Sequence, residues 1–257
     1  MNWIDNMWYS PSWYHWPVII VLLPLTALFW ILSGVRRTLF RLQIKPSQTI
    51  PALVIVVGNI SVGGNGKTPL VVYLAKRLKQ EGYHPGVLSR GYGGKNASYP
   101  LSVDAVSKVD WVGDEAILMR QHINCPLVVD PVRPRGAMEL IDKHKCDVII
   151  CDDGLQHYAL HRDIEIVVMD ERRVGNGWLL PVGNLRELPA RLRSVDFIIL
   201  NSASIQNKHE IQMQLLPQAL QPVNPASVSQ FAKPPVEFDY LMTGIGNPQR
   251  FEDTCDS

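Results

Sequence analysis

The residues best equipped for chemistry lie at 58–70, GNISVGGNGKTPL, between the apolar run ALVIVV and the segment VVYLAKRLKQEG. A turn of small residues between a strand and a helix points several backbone N–H groups into one concave nest. The N-terminus of the following helix adds positive dipole. Gly63, Gly64, Asn65 and Gly66 are the nucleotide-binding positions of such a turn, its glycines letting the backbone come close to a phosphate. The Lys67 ammonium would reach the β- and γ-phosphates, and the Thr68 hydroxyl would bind Mg²⁺. The strict spacing G-x-x-x-x-G-K-[ST] is missed at one position, where Ser61 stands in place of the first glycine. The expectation is a nucleoside triphosphate site.

A phosphate loop needs carboxylates near its metal. VIICDDG ends a hydrophobic strand in Asp152 and Asp153, and either could direct the Mg²⁺; the alternative is a turn cap at Asp153-Gly154. GDE places Asp114 and Glu115 at what reads as a helix start, where capping and dipole stabilisation compete with a catalytic reading. LQHYALHRD adds Gln156, His157 and His161 just beyond the aspartate pair.

These groups must be positioned by a regular frame. Short apolar runs at 51–58, 126–130, 146–154, 163–170 and 195–201 read as buried strands, with a further short strand opening 85–94. Residues 67–80, 114–121 and 134–145 read as helices; Leu70, Leu74 and Leu78 recur at helical spacing, and Gly82 suits the end of the first. The alternation predicts an α/β fold, a mostly parallel sheet with helices on both faces, as in P-loop NTPases. Residues 36–203 form the expected core. The polar, Gln- and Pro-rich stretch 204–235 reads as linker or peripheral structure, and 237–251 opens a new strand and turn, so that 204–257 is a separate portion. Cys125, Cys146, Cys151 and Cys255 show no metal-binding spacing and read as reduced cytosolic thiols.

The N-terminus is of another kind. No Asp, Glu, Lys or Arg occurs between Asp5 and Arg36, and five of the seven tryptophans lie in the first thirty residues. PVIIVLLPLTALFWILSG, residues 17–34, is long enough to cross a bilayer as a helix. Trp13, Tyr14 and Trp16 precede it as an interfacial belt, and Arg36, Arg37, Arg41 and Lys45 follow it, which places the rest on the cytoplasmic side. A signal peptide would carry its positive charge before the apolar run. Pro24 leaves room for a kinked or interface-lying helix. Residues 1–35 are therefore read as a membrane anchor. With 25 Lys and Arg against 24 Asp and Glu, nothing in the charge points to a nucleic-acid partner.

VGNISVGGNGKTP, VLSRGYGG, VGDE, DDGLQHY, RRVGNGWLLPVGNLRE and GIGNPQRF occur together and in this order. The set closely resembles the tetraacyldisaccharide 4′-kinases, the lipid A 4′-kinases of Gram-negative bacteria, over nearly the whole chain. The resemblance implies ATP- and Mg²⁺-dependent phosphorylation of the 4′-hydroxyl of a tetraacylated glucosamine disaccharide 1-phosphate at the cytoplasmic face of the inner membrane. It implies a P-loop core joined by a two-stranded linker to a smaller C-terminal portion. By residue, it makes Lys67 and Thr68 the Walker A pair and Asp114 the acid that helps deprotonate the attacking hydroxyl. Glu115, Asp152 and Asp153 become acids at the metal, Gln156 and His157 cleft residues, and Arg133 of DPVRP a basic residue near the transferred phosphate. Family members continue past GIGNPQRF and supply a histidine partner for the base, so the C-terminal portion is expected to be incomplete here. The competing readings are an ATP-binding relative that does not transfer phosphate and a membrane-associated P-loop switch. NKHE at 207–210 is a poor match to a guanine-reading NKxD, with Glu at its last position.

Overall fold

The structure, a computed structural model, describes residues 3–95, 98–202 and 209–215. GIGNPQRF, the strand expected from 237 and Cys255 lie outside the described residues. Among the described residues six α-helices run in chain order: α1 Trp3–Tyr9, α2 Trp16–Arg41, α3 Lys67–Gln80, α4 Val109–Val112, α5 Asp114–His122 and α6 Arg133–Asp142. Eight strands accompany them: β1 Leu53–Gly58, β2 Pro85–Ser89, β3 Leu101–Ser102, β4 Leu127–Val129, β5 Val148–Asp152, β6 Ile164–Asp170, β7 Phe197–Asn201 and β8 Glu210–Met213.

The strands form one sheet in the order β3-β4-β2-β5-β1-β6-β7-β8. Only β3 against β4 is antiparallel; all other pairs are parallel. Central parallel strands are covered on both faces, which is why β1, β2 and β5 read as unbroken apolar runs rather than alternating ones. Alternate residues of each strand feed two separate cores. Ile55, Val57, Val87 and Ile150 pack with Leu70, Val71 and Ala75 of α3 and with Ala116 and Met119 of α5. Val54, Val56, Leu88 and Ile149 pack on the other face with Ala137 and Leu140 of α6. Helices on both faces are thus the observed arrangement.

Two features depart from the sequence expectation. The sheet does not end at 203: β8, inside the stretch read as peripheral, adds a parallel edge strand to β7. Its Glu210, the last residue of NKHE, has its carboxylate held by Arg173 at 2.7 and 3.0 Å, so it does not face a nucleotide base. Two-residue β3 was also unexpected, because it has no periodicity to read. Cys125, Cys146 and Cys151 are buried free thiols, as expected of reduced cysteines.

The apolar N-terminus is helical well past the expected 17–34 segment. Within the span Trp13–Arg41 the most apolar 18-residue window has a mean hydropathy of 2.5, and only 11 % of that window is buried. What is buried forms a stripe. Ile19, Leu22 and Leu23 pack with Met7, Trp8 and Val182, the Thr26 hydroxyl accepts from the Val182 N–H at 3.3 Å, and Phe29 joins the second core. Farther along, the Phe40 ring meets Tyr158 at 5.8 Å between centroids. The helix therefore packs on the α/β unit from Ile19 to Phe29 and again at Phe40, with apolar residues exposed on its other sides.

Candidate active site

The site forms where β1 and its neighbour β5 end. β1 delivers the chain into the glycine loop, and α3 starts at Lys67 itself. Gly63 and Gly66 sit at φ +105° and +92°, the left-handed region that L side chains avoid. At Gly66 a Cβ would also stand 2.6 Å from the Asn201 Nδ2. The deviation from the strict motif has a structural counterpart: the buried Ser61 hydroxyl accepts from Asn65 Nδ2 at 2.9 Å, a bond glycine could not make. Asn65 also donates to the Val168 carbonyl, and Asn201 donates to the Asn65 carbonyl. The Asn65 side chain and carbonyl are thus committed to holding the loop.

Lys67 Nζ lies 3.6 Å from Asp153, and Arg186 Nη1 reaches the same carboxylate at 3.1 and 3.3 Å. Burial pushes the Asp153 carboxyl up, but Lys67 and Arg186 outweigh it and hold its pKa below the ordinary value. Asp152 is the opposite case. It is buried at the end of β5, its Oδ1 has no hydrogen-bond partner among the described residues, and burial, reinforced by Glu115, raises its pKa to about 6. Glu115 is raised as well, first by burial, against the pull of Lys67 and with the push of Asp153 and Asp114. The lysine, the arginine and the acids of both motifs therefore share one electrostatic neighbourhood.

Asp114 opens α5, exposed, with its Oδ1 accepting the Glu115 N–H at 2.9 Å. Gly113 before it has φ +87°, and a Cβ there would sit 2.2 Å from the Tyr92 carbonyl oxygen. Gly113→Ala should destabilise the fold by more than about 1 kcal/mol and displace Asp114. A lowered melting temperature together with lost activity is the expected result, and an unchanged melting temperature would contradict the packing described.

Arg133 and Gln156 spend side-chain donors on the protein itself. Arg133 is 2 % exposed, and its guanidinium donates to the carbonyls of Leu88 and Asp152 at 3.0 and 2.6 Å. It braces the ends of β2 and β5 from beneath. Gln156 donates to the Asn59 carbonyl at 3.1 Å and to Glu187 at 2.7 Å. His157 is half-buried, with its pKa lowered to about 4 by burial first and then by Arg133, Arg90 and Arg36, so it is a neutral imidazole at pH 7. Thr68 sits on the first turn of α3 beside Lys67. His161 lies past the turn, its backbone N–H bonded to the Gln48 carbonyl.

Arg186 and Glu187 were not assigned from sequence, although both lie in the motif RRVGNGWLLPVGNLRE. This segment is bonded to the phosphate loop: Val62 N–H donates to the Asn184 carbonyl at 2.8 Å, and Arg186 N–H to that of Ile60 at 2.7 Å. Glu187 collects Gln156 and the Tyr158 hydroxyl at 2.7 and 3.1 Å.

Among the described residues no three His, Cys, Asp or Glu side chains converge into a ready-made metal cage. That suits Mg²⁺, which is usually held by one or two carboxylates plus the substrate's own phosphates. The buried, unpartnered Oδ1 of Asp152 beside the loop is the feature that fits a cation.

The geometry agrees with what the chain is similar to. The family profile described as tetraacyldisaccharide-1-P 4′-kinase matches residues 18–257. The chain belongs to that family. The tetraacyldisaccharide 4′-kinase of Pseudoalteromonas atlantica is 55 % identical over 234 residues, covering 89 % of this chain and 75 % of that protein. The Haemophilus influenzae 4′-kinase is 46 % identical over 245 residues, covering 95 % and 72 %. A crystal structure of LpxK from Aquifex aeolicus, an "apo" form in complex with ATP, superposes with a TM-score of 0.67 at 31 % identity, covering 76 % of this chain and 64 % of that one. The chain thus spans about three quarters of the curated relatives' length. It is a transferase of the lipid A 4′-kinase family, with the α/β fold expected of it.

Proposed function

We propose that this 4′-kinase binds MgATP in the glycine loop and transfers the γ-phosphoryl group to the 4′-hydroxyl of a tetraacyldisaccharide 1-phosphate drawn from the cytoplasmic leaflet of the inner membrane. The observation that carries the reading is the meeting of Lys67, Arg186, Asp152 and Asp153 at the mouth of the loop, with Glu115 and Asp114 in the same field.

Roles follow from chemistry. The loop N–H groups and Lys67 hold the β- and γ-phosphates. A bound Mg²⁺ would neutralise charge on those oxygens; Thr68, Asp152, Asp153 and Glu115 are the residues placed to hold it, directly or through water. Asp114, exposed at the lip, accepts the proton of the 4′-hydroxyl as its oxygen bonds to phosphorus and the bond to ADP breaks. Arg133 holds the carbonyl of Asp152 and so fixes the end of β5. Gln156, tied to Glu187, and neutral His157 line the side where the sugar enters.

The Asp152 carboxyl sets a pH dependence. Its raised pKa means that it carries a proton below about 6 and must lose it to accept the metal. At limiting Mg²⁺ the rate should fall as the pH drops below 6, by up to about tenfold per unit, and excess Mg²⁺ should restore it. A rate at limiting Mg²⁺ that is flat from pH 7 to 5 would contradict the assignment.

Helix α2 lies along the catalytic unit and exposes Val21, Leu28, Ile31 and Leu32. That favours a helix embedded in the interface of the inner membrane, its apolar side in lipid and the site held at headgroup level. Deleting residues 1–35 should move the protein from the membrane fraction to the soluble one; a deletion variant that still sediments with membranes would assign the anchoring elsewhere. The reaction itself is tested with γ-³²P-ATP and the disaccharide lipid. Label in the lipid is the expected outcome, and ATP binding with no labelled lipid would reject transfer by this chain.

A further inference from the structure

The apolar stripe that docks α2 changes character at its C-terminal third. Ile19, Leu22, Leu23, Thr26 and Phe29 recur at helical spacing and are at least partly buried against the catalytic unit. Continued at the same period, the stripe reaches Ser33, Arg36, Arg37 and Phe40. Phe40 closes it again by meeting Tyr158, and beyond the helix Gln48 exchanges backbone hydrogen bonds with Ala159 and His161. Between the two contacts Arg36 and Arg37 are exposed, although they lie on the docking side of the helix. The exposed apolar residues Leu28, Ile31, Leu32 and Val35 lie on other sides of it.

By helical period the two arginines lie on the side of α2 that meets the turn at 157–158, not on the side of its exposed apolar residues. After burial and Arg133, the charges of Arg90, at the end of β2, and of Arg36 help lower the His157 pKa, and that of Arg37 opposes the burial-driven rise at Tyr158. None of the three arginines forms a salt bridge with a described carboxylate. Exposed cations on that side, without a salt bridge to a described carboxylate, are placed to take an anion. The reacting end of the acceptor needs none, since it is a hydroxyl. The acceptor named by the family, a disaccharide 1-phosphate, carries one at its other end.

We propose that Arg36 and Arg37 of α2 form the subsite for the non-reacting 1-phosphate of the acceptor. The helix would then be part of the substrate site as well as the anchor. The inference rests on the kinase reading above for the identity of the acceptor. A phosphomonoester accepts paired N–H donors from a guanidinium, so this contact selects arginine over lysine as well as charge over neutrality.

The test reads binding without turnover. Full-length protein is titrated with neutral detergent micelles carrying either the tetraacyldisaccharide 1-phosphate or the same lipid lacking the 1-phosphate. Wild type should prefer the phosphorylated lipid by about tenfold or more. The double variant Arg36→Gln/Arg37→Gln should bind the two lipids alike, while keeping its ATP affinity and its affinity for the lipid without phosphate. Arg36→Lys/Arg37→Lys should recover only part of the preference. The proposal is overturned if wild type shows no preference, or if the Gln variant keeps it. It is equally overturned if the variant loses both lipids together, in step with lost binding to phosphatidylglycerol vesicles; the arginines would then be contacts to bulk headgroups. A wild type that binds selectively yet labels no lipid with ³²P would reject the kinase reading and leave the subsite standing.

Discussion

Lys67→Ala should lower phosphoryl transfer by about 10²–10³-fold while the fold stays intact. The ammonium is the loop's own cation, placed by the first residue of α3, and its present partner is Asp153 at 3.6 Å. Removing it leaves the triphosphate without a charge that matches its β- and γ-oxygens. Asp153 keeps Arg186 at 3.1 Å, so no carboxylate is stranded and the melting temperature should barely change. Calorimetric titration with MgATP and initial rates of lipid labelling separate the two effects. A variant with unchanged turnover would remove the loop from the reaction.

Asp114→Ala should act on a different quantity. The carboxylate is exposed, and its one hydrogen bond among the described residues is to the N–H of its own neighbour Glu115, so truncation disturbs little packing. Loss of a general base lowers the rate by about 10²–10⁴-fold. ATP affinity should stay at the wild-type value, since Asp114 lies beyond the phosphates in this account. The contrast with Lys67→Ala is the informative part: one variant loses chemistry alone, the other loses the hold on the nucleotide too. If Asp114→Ala kept its rate, the base would have to be sought elsewhere among the acids of the site.

Much of this was legible in the sequence because the strands are buried on both faces. β1, β5, β6 and β7 leave apolar runs that end in chemistry-bearing residues, and α3 begins where the glycine loop stops, at Lys67. The short edge strands β3 and β8 were not legible; with two and four residues they carry no period, and they exist because β4 and β7 offer them an edge. Direct contacts were legible less often than positions. Arg186 meets Asp153 across 33 residues of chain, and nothing local marks it. Arg133 was expected near the transferred phosphate and Gln156 in the cleft by resemblance; their donors are engaged by backbone carbonyls and, for Gln156, also by Glu187. The irregular Ser61 is explained by its bond to Asn65, which only the folded loop reveals.

A crystal structure with a non-hydrolysable MgATP analogue and the disaccharide lipid tests the central claim most directly. The account predicts the γ-phosphate within about 3 Å of Lys67 Nζ, the cation on Asp152 or its neighbours, and the 4′-oxygen between the phosphorus and the Asp114 carboxylate. A nucleotide seated away from the glycine loop, or an acceptor hydroxyl out of reach of Asp114, would contradict it.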